Sequence, residues 1–73
     1  MSRPIKRSFT IEGHRTSISL EAPFWDALQR AAVDQGVSLA QLVTRIDAVR
    51  DGAGLSSAVR VWILEYYRRA APG

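Results

Sequence analysis

Few side chains in this sequence could do covalent or acid–base chemistry. There is one histidine, His14, there is no cysteine, and the seven carboxylates stand singly. Without cysteine there are no disulfides and no thiolate zinc sites. A lone histidine excludes a His-rich metal centre, so neither metal nor cofactor is expected. No G-x-S-x-G, P-loop, H-E-x-x-H or Gly-rich phosphate loop occurs. Seventy-three residues also leave little scaffold for a catalytic cleft. No catalytic residue is assigned, and a non-enzymatic role is expected. The reactive material that remains is cationic and hydroxylic: Arg15, Ser17 and Ser19 at alternate positions, and Arg3, Lys6 and Arg7 just before them.

Charge distribution sharpens this. The formal net charge is +3. Within residues 1–20, Arg3, Lys6, Arg7 and Arg15 stand against Glu12 alone, whereas six arginines and six carboxylates cancel over residues 21–73. The whole excess therefore lies in the first 20 residues, and such an asymmetry points to a polyanionic partner. Residues 1–7 read as a basic arm. No apolar run of about 18 residues occurs and no apolar h-region follows the basic start, so a soluble, cytoplasmic protein without a membrane segment is expected.

These side chains need elements to hold them. Residues 14–20, His-Arg-Thr-Ser-Ile-Ser-Leu, alternate with period two: Thr16, Ile18 and Leu20 to one face, Arg15, Ser17 and Ser19 to the other. This is a half-buried strand, and it must pair. Two partners are open. Residues 5–11 also alternate, and a Glu12-Gly13 turn would set Phe9 opposite Thr16 and Ser8 opposite Ser17, although Glu-Gly is a weaker turn signal than Asn-Gly. The other partner is the same strand of a second chain.

Three helices follow. Residues 23–35 open on Pro23, which suits the first helical position, and carry Phe24, Leu28, Ala31, Ala32 and Gln35 at helical spacing, with Trp25 widening the stripe. Gly36 is the expected stop. Ser38 and Gln41 form a capping box for a second helix lined by Leu39, Leu42, Val43, Ile46 and Val49. Asp51-Gly52-Ala53-Gly54 ends it. Residues 56–69, capped by Ser56 or Ser57, form a third helix that is apolar nearly all round. A chain this short buries only about 60–65% of its unfolded surface, so a second subunit is the expected cover. Ile18, Leu20, Leu42, Ile46, Val59, Trp62, Ile63 and Tyr66 are the expected dimer core.

The order of basic arm, alternating strand, helix, Gly-x-Ser turn and helix resembles the ribbon-helix-helix (MetJ/Arc-type) family. The residues that carry the resemblance are Thr16 to Leu20, Pro23 to Leu28, Gly36-Val37-Ser38, Gln41-Leu42-Val43 and Ile46. The segment from Leu55 to Arg69 resembles the additional C-terminal helix of a compact bacterial subfamily. The resemblance implies a single domain over residues 1–73, mainly α with a short β-ribbon, forming an intertwined homodimer. In it, strand 15–20 of each chain pairs with its two-fold mate, and the ribbon enters the major groove of double-stranded DNA. Arg15, Ser17 and Ser19 would then contact bases, with Arg15 carrying most of the sequence information. Arg3, Lys6, Arg7, Ser38, Leu39 and Ala40 would contact phosphates, the last three at the positive end of a helix. The implied role is transcriptional regulation. If residues 5–11 instead pair with 14–20, the dimer carries a four-stranded sheet wider than such a ribbon. The alternative role is then a dimeric protein-interaction module, or an antitoxin-like protein, that meets a protein through its C-terminal helix and does not read DNA.

Overall fold

The computed structural model describes residues 3–70. Two strands, β1 (Ile5–Ile11) and β2 (His14–Leu20), precede three helices, α1 (Ala22–Gln35), α2 (Leu39–Val49) and α3 (Leu55–Ala70). The strands pair antiparallel in one two-stranded ribbon within the chain. The upstream partner, and not a second copy, therefore takes one edge of β2. The register has Phe9 opposite Thr16 and Ser8 opposite Ser17, with Ile5 meeting Leu20 and Ile11 meeting His14.

The turn explains why a weak signal suffices. Glu12 and Gly13 both have positive φ, 49° and 81°. That is the type I′ requirement, whose twist matches the flanking strands. Gly13 adopts it freely; Glu12 is the only described non-glycine residue to do so.

With β1 starting at Ile5, only Arg3 and Pro4 of the expected 1–7 arm lie before the strand among the described residues, and Met1 and Ser2 lie outside them. Lys6 and Arg7 are strand residues. Their fates differ because successive strand residues face opposite ways.

Below the ribbon, α1 starts without a side-chain cap at Glu21 and uses Pro23 in its first turn. It stops at left-handed Gly36, where Val37 N–H bonds Ala32 O at 3.0 Å and Gly36 N–H bonds Val33 O at 3.1 Å, a Schellman closure. The α2 capping box forms as expected: Gln41 N–H donates to Ser38 Oγ at 3.1 Å and Ser38 N–H to Gln41 Oε1 at 2.8 Å. The α3 start differs from expectation. The carbonyl of Gly54 accepts from Ala58 N–H, so the helix begins at Leu55 and neither Ser56 nor Ser57 is its cap.

The core joins Ile11, Ile18 and Leu20 from the ribbon, Trp25, Leu28, Ala31 and Ala32 from α1, Leu42, Val43 and Ile46 from α2, and Leu55, Val59 and Ile63 from α3. Six of the eight residues expected in a dimer core, Ile18, Leu20, Leu42, Ile46, Val59 and Ile63, are thus buried inside one chain, and Trp62 and Tyr66 are half-buried against that core. Nor is α3 covered all round. It buries one stripe and leaves Val61 and Leu64 more than half exposed. Its aromatic residues serve helix packing: Trp62 stacks on Tyr66, Tyr66 Oη donates to Asp34 at 2.7 Å and Tyr67 Oη to the Ala27 carbonyl at 3.0 Å, which ties α3 to α1. The Asp34 contact raises the Tyr66 pKa, because its hydrogen bond and then burial favour the neutral phenol.

Candidate nucleic-acid interface

The hairpin turns the alternation of two strands into two chemically distinct faces. The inner face carries Ile5, Arg7, Phe9 and Ile11 with His14, Thr16, Ile18 and Leu20. The outer face carries Lys6, Ser8 and Thr10 with Arg15, Ser17 and Ser19, in cross-strand pairs Lys6–Ser19, Ser8–Ser17 and Thr10–Arg15. All but the half-buried Ser19 are exposed. This face has two cations and four hydroxyls, with no carboxylate and no large apolar side chain. Neither Lys6 nor Arg15 forms a salt bridge among the described residues.

The structure thus brings Arg15, Ser17 and Ser19 together and adds Ser8 and Thr10, which had no role in the strand-only reading. Their signal was the alternation of residues 5–11, which becomes informative once the turn is known. Arg7, expected among the phosphate contacts, lies on the other face. Its guanidinium sits over the Trp25 ring, 5.0 Å from the centroid, where it packs as a cation–π partner.

Both strands are tied down from beneath. Trp25 holds β1: its Nε1 donates to Ile5 O at 2.9 Å and its ring stacks on Phe9 at 5.9 Å. The first turns of α3 hold the end of β2. Ser19 N–H donates to Ser56 Oγ at 3.1 Å, and Arg60 Nη2 donates to Ser19 O at 3.1 Å. Arg60 also forms an ion pair with Glu21 at 3.1 Å and lies over Phe24. The Glu21 carboxyl is held below its usual pKa, chiefly by a backbone amide hydrogen bond, with a further lowering from Arg60 against the opposing effect of burial.

Ser38, Leu39 and Ala40 are placed apart from this face. The Ser38 hydroxyl is engaged in the capping box, while the Leu39 and Ala40 amides have no acceptor among the described residues, as the first turn of a helix dictates. The hairpin tip lies at the other end of α2, where Ile11, Glu12, His14, Arg15 and Thr16 share a recess with Asp47 and Arg50. The 11 residues of α2 span about 16 Å, so one chain does not bring Ser38 beside Arg15. Among the described residues, no group of three or more His, Cys, Asp and Glu could hold a metal ion, and no helix is long and apolar enough to cross a membrane.

This arrangement suits a polyanion whose phosphates and base edges accept from cations and hydroxyls. Comparison with known proteins agrees in fold. A family model described as "Ribbon-helix-helix domain" matches residues 4–67. A solved structure, that of an uncharacterized protein from Bordetella pertussis Tohama I, is similar with a TM-score of 0.74 and 31% identity over 89% of this chain. The chain spans 56% of that protein's length. No curated protein matches the sequence.

Proposed function

The chain belongs to the ribbon-helix-helix family, and from that premise we propose that it is a dimeric, double-stranded-DNA-binding regulator that reads DNA with the outer face of its hairpin. The observation that carries this reading is the composition of that face: exposed Lys6, Ser8, Thr10, Arg15 and Ser17 without a carboxylate among them. Arginine forks onto guanine O6 and N7, and serine donates to or accepts from any base.

The hairpin revises the mode of contact. In the dimer, β2 pairs with the partner's β2, and each β1 lies outside it. Four strands cover three inter-strand spacings, about 14 Å, against a major groove about 12 Å wide. The sheet does not sink into the groove as a bare ribbon does. Its two central strands face the bases with Arg15 and Ser17, while the outer strands lie over the groove walls, where Lys6, Ser8 and Thr10 meet phosphates. The free Leu39 and Ala40 amides of α2 and the side chain of Arg3 are further phosphate contacts.

The test is binding of the purified protein to random-sequence duplexes across a salt series. Enriched sites with a steep fall of affinity in salt support the reading. Binding without enrichment, or no binding, contradicts it. The second reading, a protein-interaction module, has its own observation: an open groove of about 310 Å³ between α2 and α3, lined by Ile46, Val49, Ala58, Val61 and Trp62. In that case the chain binds no duplex.

A further inference from the structure

Successive backbone units of a strand point their N–H and C=O groups to alternate edges. Ser19 directs both of its groups at α3, to Ser56 Oγ and Arg60. Ser19 therefore faces away from β1, and Ser17 and Arg15, two and four residues back, face the same way. The free edge of β2 thus carries the N–H and C=O of Arg15 and Ser17 without a strand partner, and it ends at Ser19, where α3 has already taken both groups. Such an unpaired row is a template for another strand.

We propose that α3 sets the register in which two copies of this chain pair, confining β2 to contacts through Arg15 and Ser17 and placing the two-fold axis at Thr16. The proposal rests on the strand-pairing dimer of the preceding reading and not on its DNA contacts. Two-fold antiparallel pairing allows few registers here, because only odd-numbered residues offer groups on this edge. An axis at Ser17 sets Ser17 against itself and Ser19 against Arg15, so it requires the groups that Ser56 and Arg60 hold. An axis at Arg15 sets two arginines directly opposite, which is repulsive. It also asks Ser17 to pair with Gly13, which lies in the turn at φ 81°. An axis at Thr16 sets Arg15 against Ser17 twice, uses every free group of the two residues and leaves the α3 clamp intact. The cation of one chain then meets a hydroxyl of the other.

The cysteine-free sequence permits a direct test by oxidative cross-linking. Opposed Cα atoms in an antiparallel pair lie about 4.5–5.5 Å apart, within disulfide reach, whereas positions two residues out of register lie about 8 Å apart and beyond it. The expected result is linkage of Thr16→Cys to itself, heterodimer linkage in an equal mixture of Arg15→Cys and Ser17→Cys chains, and none with Ser17→Cys alone. The mixture uses exposed positions only, so it reports even if Thr16→Cys folds poorly. Adding Ser56→Ala and Arg60→Met frees Ser19, and self-linkage of Ser17→Cys should then appear. Self-linkage of Ser17→Cys in the otherwise native chain overturns the proposal. So does linkage of Ser8→Cys to itself, which puts the interface on β1, or absence of all linkage in a protein that sediments as a dimer. A monomeric mass in sedimentation overturns the dimeric reading itself and is thereby told apart from a wrong register.

Discussion

The indole Nε1 of Trp25 donates to the carbonyl of Ile5 at 2.9 Å, joining α1 to the first residue of β1 across 20 positions of sequence. The same ring stacks on Phe9 and lies under Arg7. One side chain thus fixes the strand that carries Lys6, Ser8 and Thr10.

Trp25→Phe keeps a ring for Phe9 and Arg7 but loses the bond to Ile5. The expected loss is about 1 kcal/mol in denaturant unfolding. Trp25→Ala removes the packing as well, and should cost about 3–5 kcal/mol. Equal losses for the two variants would show that the ring contacts contribute nothing.

Ile18 and Leu20 are fully buried, and Ser17 between them is exposed. Ile18→Asp and Leu20→Asp should each unfold the chain, because an unpaired buried carboxylate costs several kcal/mol against a total stability of about 5–15. Ser17→Asp should leave the circular dichroism spectrum and melting curve of the native fold.

The left-handed backbone at Glu12 should respond to its residue type. Asn tolerates that conformation better than Glu and suits the type I′ turn, so Glu12→Asn should raise stability by about 0.5–1 kcal/mol. A lower melting temperature would contradict the turn geometry.

Much of this was legible in the sequence, for reasons that differ by element. The capping box at Ser38 and Gln41 and the stop at Gly36 are local chemistry, and both form as read. The faces of β2 follow from strict alternation and also hold. The choice of partner strand was not legible, because it rests on two positive φ values at Glu12 and Gly13 that residue types only weakly encode. The setting of Arg7 was hidden for a related reason: charge alone suggested phosphate, and strand parity puts its guanidinium over Trp25. The stripe of α3 that packs within the chain was not legible either, because hydropathy all round does not say which side meets the chain's own core. Val61 and Leu64 are as apolar as Val59 and Ile63 yet point outward. Ser56 read as a cap, and only the tertiary fold shows that its hydroxyl serves Ser19.

Acid should loosen the clamp on β2 through Glu21. Its folded pKa is lowered, first by a backbone hydrogen bond and then by Arg60. The stabilisation it contributes is present above its ordinary value of 4.5 and is lost as pH falls through the lower folded value. Glu21→Gln should remove that part of the acid dependence, seen as a flatter stability profile below pH 4.5. An unchanged profile would show that this carboxyl is not linked to folding.

On the proposed function, the outer face of the hairpin reads DNA, with Arg15 at the bases and Lys6 at the phosphates. The most direct measurement compares Arg15→Ala and Lys6→Ala for duplex affinity and site preference over a salt series. Arg15→Ala should lose discrimination of about 1–3 kcal/mol per copy while retaining salt-sensitive binding. Lys6→Ala should keep the preferred sites, bind all sequences more weakly and show a shallower salt slope. If both variants weaken binding alike with site preference unchanged, or if neither changes it, the hairpin face is not the reading head.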